Sequence, residues 1–418
     1  MKRFSIWRIW GGMALVVSLL LTACGDNTNT PAPTVAPTTA AVSATTAANT
    51  TTAATTAAGT TAASATTATA ANDPKQALAS LANQVYSTGP NGEKPASAST
   101  VTLSADELAK IKGMNATAAI VMHYGGNDWS TAQIDGLKNQ FAQMGISVVA
   151  VTDAGFKPEK QVSDIETVLA KKPNIIVSIP TDPVATADAY KKAAAQGVKL
   201  VFMDNVPKDF QAGKDYVSVV SADNYGNGVA SAHIMALKLG GKGKIGIIYH
   251  SADFFVTKQR YDAFKKTIQD NYKDIQIVQE QGIGGPDFAG DAEKVASAML
   301  TKYTDLNGIW AVWDVPAEGV MAAVRTAGRN NVIVSTCDLG KNVAIEIAKD
   351  GIVKGLGAQR PFDQGVTEAK LAGYALLGKQ APPYVAMNAL PVTKDNVLDA
   401  WKTVYHADPP QELVSANK

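Results

Sequence analysis

From residue 123 onward, groups of polar and aromatic residues recur, each following a short apolar run. The groups are His123-Tyr124, Asp153, Thr181-Asp182, Asp204-Asn205, Asp223-Asn224, His250, Trp313-Asp314, Asp338 and Gln359. Trp129 and Arg260 stand a little later, in segments of helical spacing. Carboxylates and amides accept and donate hydrogen bonds to hydroxyls, and a guanidinium offers a planar fork of donors. Indole faces cover the apolar C–H side of a sugar ring. The mixture suits a neutral polyhydroxyl guest held without covalent chemistry. No Gly-x-Ser-x-Gly elbow and no His-Glu-x-x-His pair occurs. Gly282-Ile283-Gly284-Gly285 lacks the Lys-Ser/Thr that a phosphate loop needs. Two cysteines, Cys24 and Cys337, exclude a disulfide framework. Four scattered histidines argue against a metal centre, and no cofactor is expected.

Plainer roles compete for several of these positions. Asp153, Asp182 and Asp223 are assigned to capping the turn or helix that follows them. Trp310 lies inside an apolar run and Trp401 in a C-terminal helix, so both are assigned to packing. Cys337 reads as a small buried residue. Trp129 and Trp313 flank loops and are site candidates. His123 and His250 end apolar runs, where either packing or cleft lining is open to them.

The elements that position these residues alternate. Runs at Thr117–His123, Ile146–Thr152, Asn174–Pro180, Lys199–Asp204, Lys244–His250, Ile275–Glu280, Gly308–Asp314, Asn331–Cys337 and Val353–Gln359 read as buried parallel strands. Helical spacing fills Pro158–Lys171, Pro183–Ala195, Val256–Asp270, Phe288–Tyr303, Pro316–Ala327 and Lys341–Asp350. This is an α/β chain of parallel sheets covered by helices. Two doubly wound lobes fit the strand number better than a single eight-unit barrel, because the pattern loosens near Tyr216–Asn227. Ser104 and Glu107 form a capping-box pattern, whereas residues 73–103 read as a loosely structured lead-in. In open α/β sheets, ligands sit beyond the carboxyl ends of the strands, where the groups above fall.

Length and composition agree. At 418 residues with 46% hydrophobic content, two or three domains are expected. Lys+Arg total 38 against 37 Asp+Glu, with no basic stripe, so no nucleic-acid partner is expected. The chain begins with a cationic start and a short apolar stretch, Met13 to Leu21, the layout of a secretory signal. Leu21-Thr22-Ala23-Cys24 resembles the bacterial lipobox, which implies cleavage after residue 23 and a lipid on Cys24. Residues 28–71 contain 17 Thr and 17 Ala among 44 positions and no charge. Such a segment cannot offset its ordering entropy, so 24–75 is expected to be a disordered tether. A coil of that length averages roughly 35–40 Å end to end.

The folded region, about Thr117 to Thr393, resembles the periplasmic sugar-binding proteins of ribose-type ABC transporters, the type I solute-binding fold. Asn127-Asp128-Trp129-Ser130 before Asp135-Gly136 stands where that family has Asn-Pro-Phe-Phe before Asp-Gly. Ile179-Pro180-Thr181-Asp182 resembles its Asn-Pro-Thr-Asp, and Ser221-Ala222-Asp223-Asn224 its Ser-Asp-Asn crossover. Asp204-Asn205 stands at an Asp-Arg pair, Arg260 at the Arg preceding Gly-Phe, and Trp313-Asp314 at Asn-Asp. Asp338 falls at Phe-Asp and Gln359 at Ala-Gln. The resemblance implies ligand contacts from Asn127, Trp129, Asp204, Arg260, Asp338 and Gln359. Asn205 and Trp313 join the candidate set as departures from the pattern. Ser130, Ile179, Asn205 and Trp313 replace Phe, Asn, Arg and Asn, which points away from ribose itself and keeps a small sugar or polyol.

The resemblance further implies an N-terminal lobe at 117–222 plus 360–388 and a C-terminal lobe at 223–359 plus 389–405. A lead-in (76–116) precedes them, a tail (406–418) follows, and three crossover strands form a hinge that closes on ligand. The expectation is a monomeric, lipid-anchored receptor on the outer face of the cytoplasmic membrane. It would pass a sugar or sugar alcohol to an ABC permease. A sensor handing a sugar-like signal to a membrane partner is one rival, and a secreted carbohydrate-active enzyme is another. Acidic residues and indoles can also cage a cation, but Arg260 in the same cleft argues against it.

Overall fold

The computed structural model describes residues 73–418, so the expected signal segment, Cys24 and nearly all of the tether lie outside the described residues. The chain enters through helix α1 (Pro74–Ser80), a 3-10 turn (Leu81–Asn83), strand β1 (Ala96–Ser97) and helix α2 (Ala105–Gly113). Ser104 and Glu107 close the expected capping box on α2.

Next come β2 (Thr117–Met122), α3 (Asp128–Gln143), β3 (Ser147–Asp153), α4 (Pro158–Leu169), β4 (Ile175–Ser178), α5 (Ala187–Ala195), β5 (Lys199–Met203) and β6 (Val219–Ala222). A second series follows: α6 (Asn224–Leu239), β7 (Lys242–His250), α7 (Phe255–Asn271), β8 (Asp274–Ile283), α8 (Phe288–Lys302) and β9 (Gly308–Ala311). It continues with α9 (Asp314–Thr326), β10 (Ile333–Cys337), α10 (Lys341–Ala348) and β11 (Val353–Ala358). The chain closes with α11 (Pro361–Leu377), β12 (Tyr384–Met387), β13 (Leu390–Val392), α12 (Val397–Tyr405) and α13 (Gln411–Ala416).

Two sheets result, and the single-barrel alternative is excluded. The first is seven-stranded, ordered β1-β12-β6-β5-β4-β2-β3, and the second six-stranded, ordered β13-β11-β10-β9-β7-β8. Pairings are parallel except for β13, which runs antiparallel to β11. Strand β2 explains why the runs are continuously apolar. Ala118, Ile120 and Met122 enter one core while Ala119 and Val121 enter the core on the opposite face. The second sheet carries its own core, which includes Trp310 and reaches Trp401 and Leu413. The Trp310 indole donates to Ser231 Oγ at 3.0 Å. The tail beyond residue 405 is therefore anchored, through α13 against α10.

The chain passes between the sheets after Ala222, after Ala358 and after Met387. The two-lobed α/β fold expected from the sequence is the one observed. Helix α3, which starts at the cleft, is set by a close crossing with α11. A Cβ on Gly136 would lie 2.2 Å from Phe362 O, so only glycine allows this approach.

Residues 73–103 depart from expectation, for they are integrated and brace the crossovers. Leu81 is fully buried, and β1 pairs with β12. Asp223, at the first crossover, accepts from the backbone N–H of Tyr86 and of Ser87, both at 2.9 Å. Ser87 Oγ also donates to Gln259 Oε1 on α7, and Asn388 at the third crossover donates to Ala82 O. Elements of two to seven residues show no periodicity, and this anchoring runs mainly through backbone groups.

Candidate functional site

Asp204 directly follows strand β5 and Asp338 directly follows strand β10, one in each lobe. Both residues adopt positive φ, 53° and 65°, a left-handed conformation uncommon for non-glycine residues and concentrated at functional sites. Their carboxylates enter one cleft between the sheets, of about 500 Å³ including its open side. Arg260, two turns into α7, crosses to Asp338 as a fork, Nη1 to Oδ2 at 2.8 Å and Nη2 to Oδ1 at 3.1 Å. Its Nε donates to Asn224 Oδ1 at 3.0 Å and Nη1 also to Val312 O at 3.3 Å. Gln359, at the second crossover, donates from Nε2 to Asp338 Oδ1 at 3.1 Å. Asp204 accepts from Ser221 Oγ at 2.5 Å.

Asn127 caps α3 by accepting from Ser130 N–H at 2.8 Å, and the next turn carries Trp129 into the cleft. Trp313, at the N-cap of α9, lines the opposite wall. Asn127, Trp129, Asp204, Arg260, Trp313, Asp338 and Gln359 thus share one cavity. Asn205 does not. It is buried and donates to Pro180 O at 3.2 Å, away from the lining. The residue after a left-handed Asp204 leaves the strand in a new direction, a turn that sequence spacing could not foresee.

Buried polar atoms without partners mark where a guest would bond: Trp129 Nε1, His123 Nδ1 and Gln359 Oε1. Burial raises the Asp204 carboxyl to about 6, with Ser221 and Arg260 opposing the shift. Burial, then Asp338 and Glu318, push Asp314 well above the ordinary range. Burial, then His250, lower His123 to about 3, and burial lowers His250 to about 4. Both histidines are therefore neutral near pH 7. Among the described residues no cluster of three or more metal-ligating side chains occurs. No helix among them is long and apolar enough to cross a membrane.

Residues 118–380 match the periplasmic binding protein domain. The chain belongs to this family. It is 26% identical over 283 residues to the ribose import binding protein RbsB of Salmonella typhimurium, covering 67% of this chain and 89% of that protein. A solute-binding protein of Actinobacillus succinogenes solved with D-allose is 25% identical, with a TM-score of 0.61 over 68% of this chain and 99% of that one. One from Agrobacterium vitis solved with α-D-tagatopyranose has a TM-score of 0.64 at 24% identity, over 69% and 99% of the two chains, a likeness of fold. These relatives are binding proteins and not enzymes.

In this periplasmic binding protein, sequence reasoning missed the ring cluster at the mouth of the cleft. Phe156, on the turn after β3, meets His123 at 4.7 Å and Tyr124 at 5.0 Å in its own lobe. Across the gap it meets Phe254 at 5.8 Å and Phe288 at 5.4 Å. Phe254 in turn stacks on His123 at 5.4 Å. Phe156 lies three residues past the end of β3 and Phe254 four past the end of β7, so inspecting each strand end four residues further would have found both. His123, which the sequence left open, lines the cavity, whereas His250 stands behind Trp313 at 5.6 Å. Asp153, Asp182 and Asp223 each accept from following backbone N–H groups, the capping role assigned to them.

Proposed function

We propose that this chain is the extracytoplasmic solute-binding component of an ABC importer, taking a sugar or sugar alcohol into the interlobe cleft. The observation that carries the reading is the convergence of Asp204, Arg260, Asp338 and Gln359 from both lobes on one cavity walled by Trp129 and Trp313. Relatives with sugar names or sugar-bound structures support the same class. Gln359 and Asp338 are bonded to each other, and Gln359 sits on a crossover. A guest bonded to Gln359 Oε1 therefore acts on the hinge itself, and contacts from both lobes favour the closed state over the open one. The closed pair of lobes is the surface a permease would read. Lipid on Cys24 and the Thr/Ala-rich tether would hold this monomeric receptor at the outer face of the membrane.

A melting-temperature screen against pentoses, hexoses and sugar alcohols tests the binding reading. A ligand at a hundred times its Kd adds about 2.7 kcal/mol of stability. No shift across the whole panel would refute it. For the anchor, Cys24→Ser should release the protein from membranes, and retention of the variant would count against lipidation.

A further inference from the structure

We propose that the guest of this cleft carries a protonated amine, as an amino sugar or an amino-substituted polyol does. The inference rests on the solute-binding reading above and narrows its ligand class. Asp204, Asp314 and Asp338 line the cavity, and Arg260 is the one cation among the described residues that line it. Both ends of the Arg260 fork rest on Asp338, so Arg260 does not meet a cationic guest as a free charge. Arg260 and Asp338 therefore neutralise each other as a buried pair.

Among the described residues the other two carboxyl groups form no ion pair, and Arg260 acts on Asp204 only from a distance. Asp204 is held by the Ser221 hydroxyl. Among the described residues Asp314 accepts only from its neighbour's N–H, Val315 at 2.9 Å, and it is 6% exposed. The groups around Asp314 deepen the deficit, since Glu318 and Asp128 add negative potential there. The nearest histidines are neutral. A carboxylate taken out of water without a partner is costly, and an ammonium bonded to it returns much of that cost. The walls fit the same guest. The aromatic side chains Trp129, Phe156, Phe254 and Trp313 line the cavity, and ring faces attract a desolvated ammonium and cover C–H groups beside it. With a neutral polyol on the hydroxyl-binding floor, Asp204 and Asp314 can shed their charge only by taking up a proton, whereas an ammonium pairs with them in the ionised form.

Matched ligand pairs test this on the folded chain. D-glucosamine is compared with D-glucose, and 1-amino-1-deoxy-D-ribitol with ribitol, by melting temperature and by calorimetry. At least one amine should bind tenfold or more tightly than its neutral partner, and the advantage should shrink as salt is raised. Asp314→Asn, which preserves shape, should bring the amine-to-neutral ratio close to one, and Asp204→Asn provides a second test should the first variant fail to fold. If neutral partners bind as well as the amines or better, the amine assignment is overturned while sugar binding stands. If neither member of any pair binds, and the wider sugar panel is also silent, both readings fall together.

Discussion

Arg260 and Asp338 face each other as a two-pronged pair, 2.8 and 3.1 Å long, with the arginine side chain 2% exposed. They come from different elements of one lobe, α7 and the end of β10. Their closure orders the floor on which Gln359 also rests. Breaking one side leaves a buried charge alone. Arg260→Ala or Asp338→Ala should therefore cost about 3–5 kcal/mol of stability, read by urea unfolding. Arg260→Lys should fail to restore ligand affinity, since an ammonium cannot reproduce the fork. Full affinity in Arg260→Lys would contradict the geometric role.

Asp204 makes the empty protein less stable than it need be. Its folded value of about 6 exceeds the ordinary 3.8, so between those pH values the folded state holds a proton the unfolded chain has lost. Through this group, stability rises as pH falls from 7 toward 4, and ionisation at pH 7 costs about 3 kcal/mol. Asp204→Asn should raise the melting temperature at pH 7 and weaken ligand binding. A lowered melting temperature would show that Ser221 and Arg260 outweigh burial.

His123 works in the opposite direction. Its folded value of about 3 lies below the ordinary 6.5, so in that interval the unfolded chain takes up the proton. Stability is lost as pH drops below 6.5, by up to about 5 kcal/mol. His123→Phe should keep the ring contacts and flatten the acid limb of a stability-against-pH curve, with His250 and His233 (each lowered to about 4) supplying what slope remains.

Phe156 bridges the lobes at a φ of 57°. Replacing it by Ala removes ring contacts worth about 0.5–1.5 kcal/mol each and should enlarge the ligand-free radius of gyration in small-angle scattering. Phe156→Gly loses the same ring but relieves the left-handed backbone, so it should melt above Phe156→Ala. Equal radii for wild type and both variants would mean that the ring does not help hold the gap closed.

Asp223 tests the N-terminal brace. Asp223→Ala strips partners from the N–H groups of Tyr86, Ser87 and Gly226. The expected loss is about 2–4 kcal/mol, accompanied by faster hydrogen exchange at Tyr86 and Ser87. Unchanged exchange there would show that the segment is held by other contacts.

Much of this was legible in the residues. Continuous apolar runs such as Thr117–Met122 specify strands covered on both faces, and the strand-end rule brought Asp204, Trp313, Asp338 and Gln359 to one cavity, joined by Trp129 and Arg260 from helices and by Asn127 from the resemblance. Asn205 escaped the rule because one left-handed residue before it redirects the chain. The brace escaped because backbone hydrogen bonds leave no mark in side-chain pattern.

By itself the sequence determined the alternation of strand and helix, the absence of catalytic motifs and the kinds of group at the strand ends. These depend on local periodicity and residue type, which neighbours in the chain suffice to reveal. Only the tertiary structure decided which carboxylate Arg260 neutralises and which are left over, and which rings meet across the gap. Pairing between residues 78 positions apart, as for Arg260 and Asp338, depends on how α7 packs against the sheet that carries β10. No local pattern encodes that distance.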